Sequence, residues 1–531
     1  MRTLFTNGKI YLDRYRFAEA VLIEDDKIKK IGSMLELVPY IIDSKVIDLQ
    51  GRTVLPGFND SHLHLYGTAS FMQAVNLYGR SSIGEIITRS LDFITSHPKK
   101  QEILTGRGWN QDYFLVDSRL PNRKDLDQIS LQRPIVFPRA CGHIVVVNSR
   151  ALEQANINRT TVCPVGGAID VDEQGEPTGI LRENALLLIE GLYPQPTVQE
   201  MFQHLKNIAH RANSMGITSV QTNDLHIGED NWQVLDDAYR MLAEEGLLKV
   251  YHQISFSNLA EFQQRISGGF HPSEHPFNRY GCLKLFADGS LGARTAALRS
   301  PYADDPSTSG IEVLSPAQLD TWITTATDAS IQVAIHAIGD RAIQNVLDAY
   351  MKSCHDNNEL RHGIIHCQIT DMEILRTFRK LDILAYVQPI FLHYDLHIVQ
   401  QRVGKALADT SYAFKTMETL KLHTAYGTDA PVEDFNPINN IYCAITRKDL
   451  DGEPKNGFNP KESVDLATAI DAYTVGSAYA SFDEHHKGRL FEGYDADLIV
   501  LDKPIFALEH DAIRSVSVVM TTVGGRIVYE K

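Results

Sequence analysis

The 531-residue chain has only six cysteines, Cys141, Cys163, Cys282, Cys354, Cys367 and Cys443, and no two of them form a CxxC pair. That spacing speaks against a thiolate zinc site and against a disulfide framework, which a chain of this length does not need. A long basic run is also missing. The formal net charge is −16, so a phosphate backbone is repelled and no nucleic-acid partner is expected. No apolar run reaches the ~20 residues of a membrane span, so no membrane partner is expected. The opening stretch MRTLFTNGKIYLDRYRF lacks the apolar centre of a signal peptide. A soluble, cytoplasmic protein is the expectation. Internal repeats, low-complexity tracts and the GxSxG elbow of a serine hydrolase are absent as well.

What is present is material for a large core: 43% of residues are hydrophobic and 22% charged, the balance of a globular protein. The length predicts two or three structural units. Both ends are β-like. Leu4–Ile10, Ala20–Glu24, Lys27–Ile31 and Lys45–Asp48 alternate near the start, and Asp497–Asp502, Ser515–Thr522 and Arg526–Glu530 near the finish. Residues 1–55 and 485–531 are therefore expected to form one small β-sandwich domain. Between them, candidate strands at Gly57–Leu65, Ile217–Asn223, Lys249–Phe256, Cys282–Asp288, Gln332–His336, Gly363–His366, Ile383–Gln388 and Thr424–Asp429 alternate with amphipathic helices such as Trp232–Glu245 and Met372–Lys380. Eight strands alternating with helices predict a (β/α)8 TIM barrel over 56–484, with a doubly wound open sheet as the alternative. The long gap after the first strand predicts an inserted α+β subdomain at about 100–185.

The most specific local feature is His62-x-His64. Residues two apart on a strand share a face, so both imidazoles reach one metal. An isolated HxH is weak, since two histidines on a strand also arise by chance. Position strengthens it. Lys284, Asp288, His336, His366 and Asp429 all fall within a residue or two of where an apolar strand gives way to a turn, and a TIM barrel builds its active site from the C-terminal ends of its strands. Each alone reads more easily as a satisfied structural group; together they point to a metal site.

Long blocks then match one family. Pro56-Gly57-Phe58 leading into the HxH, GRGWNQDYF, GHIVVVNSRAL, KLFADGSLGARTA, HAIGDRA, YGTDAPV, DAYTVGSAYA and GRLFEGYDADLIVLD occur in order over nearly the whole chain. They make it resemble the metal-dependent amidohydrolase superfamily, within it amidohydrolase family 3, the YtcJ-like branch that includes N-substituted formamide deformylases. One departure is Ile365, where relatives often carry an acid before the strand-six histidine.

The resemblance implies that His62, His64 and Asp429 hold one divalent metal and that His336 and His366 hold a second. It also implies that Lys284 bridges the two as a carboxylated lysine, with Asp429 also the general base and then acid. The alternative keeps Lys284 as an ammonium paired with Asp288 beside a single metal. Zinc is the expected ion, with manganese, iron, cobalt and nickel also compatible. His143 and Trp109 in the insert, and Asp288 and Arg294 after strand four, are candidates for contacting a small-molecule substrate. Against them stand a hydrogen-bonded core histidine, insert core, and ion pairing with an acid for Arg294. The expected reaction is hydrolysis of an amide, formamide or cyclic amide. The same site acting on an ester or lactone, or as a deaminase, is the runner-up, and a binding protein on an inactive barrel is the alternative of another class. A homo-oligomer is compatible with the sequence.

Overall fold

The computed structural model describes residues 2–14, 16–97, 103–117, 119–139, 144–193, 195–229, 231–270, 275–353 and 358–531. Eight apolar runs form its central sheet: β1 (Phe58–Leu63), β2 (Ile217–Thr222), β3 (Lys249–Phe256), β4 (Asn278–Phe286), β5 (Val333–Ala337), β6 (Gly363–His366), β7 (Leu384–Val387) and β8 (Thr424–Tyr426). Several, including β1, β2, β6 and β7, are buried along their whole length, as strands covered on both faces must be.

All neighbours pair in parallel, and their order across the sheet follows their order along the chain. A doubly wound sheet would reverse that order and keep two free edges. Here the ends of the sheet meet: the Asp429 N–H donates to His62 O and the His64 N–H donates to Ala430 O, both at 2.8 Å. The result is a nearly closed (β/α)8 barrel. Glycine is required at this seam, because a Cβ on Gly427 would lie 2.6 Å from His62 N and 2.9 Å from Asp60 Oδ1.

The helices outside follow from local signals. Met372–Leu381 starts where the Asp371 side chain accepts the Ile374 N–H, buries Ile374, Leu375 and Phe378, and stops at Asp382 in the left-handed region (φ +54°). Among the described residues no helix is long and apolar enough to cross a membrane. Four cysteines, Cys163, Cys282, Cys367 and Cys443, are free thiols, while Cys141 and Cys354 lie outside the described residues.

The chain divides into two compact units, 1–67 with 198–531, and 68–197. The second is wider than the 100–185 span read from the sequence, because helix Ile83–Ser96 and strand Val75–Asn76 belong to it. It has its own six-stranded sheet and a core around Ile83, Phe93, Trp109, Phe137 and Val146. In the first unit the chain ends meet. Thr53–Pro56 lies between Lys9–Asp13, to which it is parallel, and Leu498–Leu501, to which it is antiparallel. Phe5, Ile10, Val54, Leu498, Val500 and Met520 share one core there.

An ion-pair network ties the start of β3 to this C-terminal segment. Lys249 Nζ lies 2.7 Å from Asp495 and 2.6 Å from Asp497, and His486 sits between Asp483 (3.3 Å) and Asp495 (3.2 Å). Hydrogen bonds to those two carboxylates raise the His486 imidazole to about 9. A raised folded-state value stabilises fully below the unfolded value of ~6.5 and is lost as pH climbs through the folded one. The wild type should therefore lose stability between about pH 7 and 9 that a His486→Gln variant does not. Because the ring is 44% exposed, screening keeps the difference below about 1 kcal/mol. Urea midpoints of both proteins across this range check it, and parallel curves would remove the imidazolium's role.

Candidate metal centre

Each of the eight strands delivers one or two polar residues at its C-terminal end. His62 lies on β1 and His64 directly follows its last residue. The His62 Nδ1 pairs with Gln253 Oε1 of β3 at 2.5 Å and the His64 Nδ1 with the carbonyl of Asn223, just past β2, at 2.7 Å. With Nδ1 engaged as donor, Nε2 of both rings keeps its lone pair. Those Nε2 atoms lie 3.5 Å (His62) and 3.4 Å (His64) from Asp429 Oδ1, which follows β8. His366 ends β6, with its Nδ1 2.9 Å from Gln388 Oε1 beyond β7. Its ring lies 4.5 Å from that of His336, 5.7 Å from that of His62, and stacks at 5.5 Å on Phe391. Ligand atoms of His62, His366 and Asp429 all lie within 4.8 Å of one another.

The electrostatics suit a cation. Burial pushes the His62 imidazole down to about 3 and His366 well below its usual range, so both are neutral. For Asp429, burial favours the neutral acid, but the close approach of the His64 ring (3.4 Å) outweighs it and holds the carboxyl well below the ordinary carboxylate range. Its Oδ1 is nevertheless buried without a hydrogen-bond partner among the described residues. A buried anionic oxygen facing imidazole lone pairs is costly unless something positive stands between them. The donor set therefore fits a divalent metal. The backbone is strained here too: His366 (φ +82°) and Asp429 (φ +57°) sit in the left-handed region, which costs on the order of 1–3 kcal/mol at each.

Lys284 on β4 is 1% exposed. Its Nζ donates to Leu285 O at 3.3 Å and lies 3.8 Å over the Phe286 ring. Burial pulls its amine down to about 7. Asp288 does not pair with it; that carboxylate accepts the N–H groups of Ala297, Ile338 and Gly339 at 2.8–3.0 Å, holding the loops after β4 and β5, and lies 3.4 Å from His336 Nε2. The His336 Nε2 also pairs with Gly289 O at 3.0 Å, which leaves Nδ1 as that ring's free lone pair. Arg294 is engaged with Asp304 at 3.0 Å. Trp109 is fully buried in the core of the 68–197 unit, where its indole N–H donates to Phe137 O at 2.8 Å. His143 lies outside the described residues.

The residues that sequence reasoning passed over are Asp60, Asn223, Gln253 and Gln388. Asp60 precedes His62 by two positions and accepts from Thr428 Oγ1 at 2.7 Å, Thr428 N at 3.1 Å and Tyr473 OH at 3.1 Å, pinning the closing strand to β1. Burial pushes its carboxyl up to about 7. The signal was available: each is a polar residue in or just past an apolar strand, the rule that singled out the histidines.

Three comparisons bear on this geometry. The sequence profile of the amidohydrolase family matches residues 45–529. A protein of Bacillus subtilis described as a putative amidohydrolase, YtcJ, is 34% identical over the whole of both chains, and an N-substituted formamide deformylase of Arthrobacter pascens is 25% identical over 97% of this chain and 95% of its own. Among solved structures, an uncharacterised metal-dependent hydrolase of Pyrococcus horikoshii OT3 superposes with a TM-score of 0.79 at 28% identity, covering 96% of this chain and 99% of its own.

Proposed function

The chain belongs to the amidohydrolase family, and on that premise we propose that it hydrolyses a non-peptide carbon–nitrogen bond of a small amide or formamide. The observation that carries this reading is the buried Asp429 Oδ1, without a hydrogen-bond partner among the described residues, facing the Nε2 atoms of His62 and His64. His62, His64 and Asp429 would hold one divalent cation and His336 and His366 a second, zinc being the ion such histidine-rich sites usually take. When bound, the metal polarises a carbonyl and acidifies water.

The chain's own groups do the rest. Gln253, Gln388 and the Asn223 carbonyl engage Nδ1 of His62, His366 and His64 and so fix the histidine tautomers. Asp429 takes the proton of the attacking water at its carboxylate. The protonated carboxyl then returns that proton to the leaving nitrogen. Lys284 supplies a buried amine that burial pulls down to about 7, so a substantial unprotonated fraction is present at neutral pH. That unprotonated amine would form an N–C bond with carbon dioxide and release one proton to water, and the resulting carbamate would add an anionic ligand to the site.

The similarity to a formamide deformylase supports the carbon–nitrogen bond. The test is metal analysis of the purified protein with a panel of N-substituted formamides, acetamides, cyclic amides, esters and lactones, each run with and without chelator. The expected result is bound metal and chelator-sensitive hydrolysis of at least one amide or formamide, faster than that of the matching ester. Turnover of esters alone would replace the carbon–nitrogen reading, and a metal-free protein inactive on the whole panel would end it.

A further inference from the structure

The opposite, N-terminal end of the barrel holds a cavity of about 430 Å³, within the ~300–1,000 Å³ range of small-molecule sites. Asn59 on β1 and Ser219 on β2 line it and are partners in the parallel register. They are 3% and 2% exposed, yet Asn59 Nδ2, Asn59 Oδ1 and Ser219 Oγ have no hydrogen-bond partner among the described residues. Buried polar groups are seldom left unpaired, because each one costs free energy.

The walls are charged. Asp483 takes Arg279 at 2.9 Å, Lys487 at 3.1 Å and His486, while Asp495 takes Lys249, His486 and Lys27. With Asp497 and Asp26 counted, five cationic groups face four carboxylates, His486 being protonated at neutral pH. An ammonium carries three N–H donors, and among the described residues Lys487 makes one ion pair and Lys249 two. Spare donors on the walls and an unpaired amide and hydroxyl below them call for an acceptor-rich occupant.

We propose that this cavity binds a small organic anion through a carboxylate or phosphate group, at a site separate from the metal centre at the other end of the same strands. The anion meets the spare ammonium donors on the wall, and the Ser219 hydroxyl and Asn59 amide satisfy its oxygens.

Calorimetric titration of the full-length protein with succinate and, separately, with inorganic phosphate tests this, before and after removal of metal by a chelator. One equivalent of at least one anion should bind, equally well without metal, and more weakly as salt is raised. Whichever binds more tightly names the head group. Ser219→Ala removes a hydroxyl with no protein partner, so its melting temperature should hold while anion affinity falls about ten-fold or more, the scale of a hydrogen bond to a charged group. Lys27→Ala, which removes a half-exposed cation paired with Asp495, should weaken binding several-fold while a melting curve shows the variant folded. The site is overturned if neither anion binds at millimolar concentration, if binding disappears with the metal, or if both variants bind as the wild type does.

Discussion

Replacing His62 with alanine should strip metal from the protein and abolish nearly all hydrolysis, and the neighbouring residues should fall into a graded series behind it. His62 is 1% exposed and faces both Asp429 and the His366 ring, so nothing else can take its place. His64→Ala, His336→Ala and His366→Ala should behave similarly. Replacing Gln253 or Gln388 with leucine leaves every ligand present but frees Nδ1 of His62 or His366. Losing such a supporting partner typically costs roughly 10–100-fold in metal affinity or activity, and losing the ligand itself should exceed that. Metal content and turnover measured on the whole series, with thermal melts to exclude unfolding, decide the matter. Four histidine variants with full metal and full activity would dissolve the site, and equal losses for ligand and glutamine variants would mean that no imidazole coordinates directly.

Asp429→Asn should separate holding metal from moving protons. The substitution is unusually clean for the backbone. Asp429 has φ +57°, a conformation asparagine tolerates better than most residues, and its N–H bond to His62 O at the barrel seam does not involve the side chain. The amide oxygen still offers a neutral ligand atom, but it no longer accepts a proton from water or returns one to nitrogen. General acid–base catalysis contributes about a hundred- to ten-thousand-fold, so turnover should drop by that much or more while much of the metal stays bound. Turnover is compared at saturating metal. If excess metal restores it fully, Asp429 is a ligand and nothing else.

The barrel was legible because its signals are local. Each of the eight apolar runs overlaps an observed strand, β3 residue for residue and β8 only in its first three. The two-residue repeat that puts His62 and His64 on one face requires nothing beyond strand geometry. The polar residues at strand ends stood out for the same reason, as breaks in runs that burial otherwise keeps apolar.

Which of those residues meet was settled elsewhere. Asp288 follows β4 and His336 lies near the end of β5, yet one carboxylate is consumed by three backbone N–H groups while the other residue offers a ring to the centre. Trp109 looks like a pocket residue by motif and is spent inside the core of its own unit. The partners that fix the tautomers, Gln253 for His62 and Gln388 for His366, are 191 and 22 residues away along the chain. Taken alone, the sequence determined the strands, the family and the kinds of ligand available, because side-chain alternation and burial act over a few residues. The tertiary structure alone decided which polar atoms face each other, how the barrel closes between His62 and Asp429, and which buried groups stay unpaired. Those outcomes depend on distances between separate segments of the chain, which closure of the sheet imposes and no local pattern encodes.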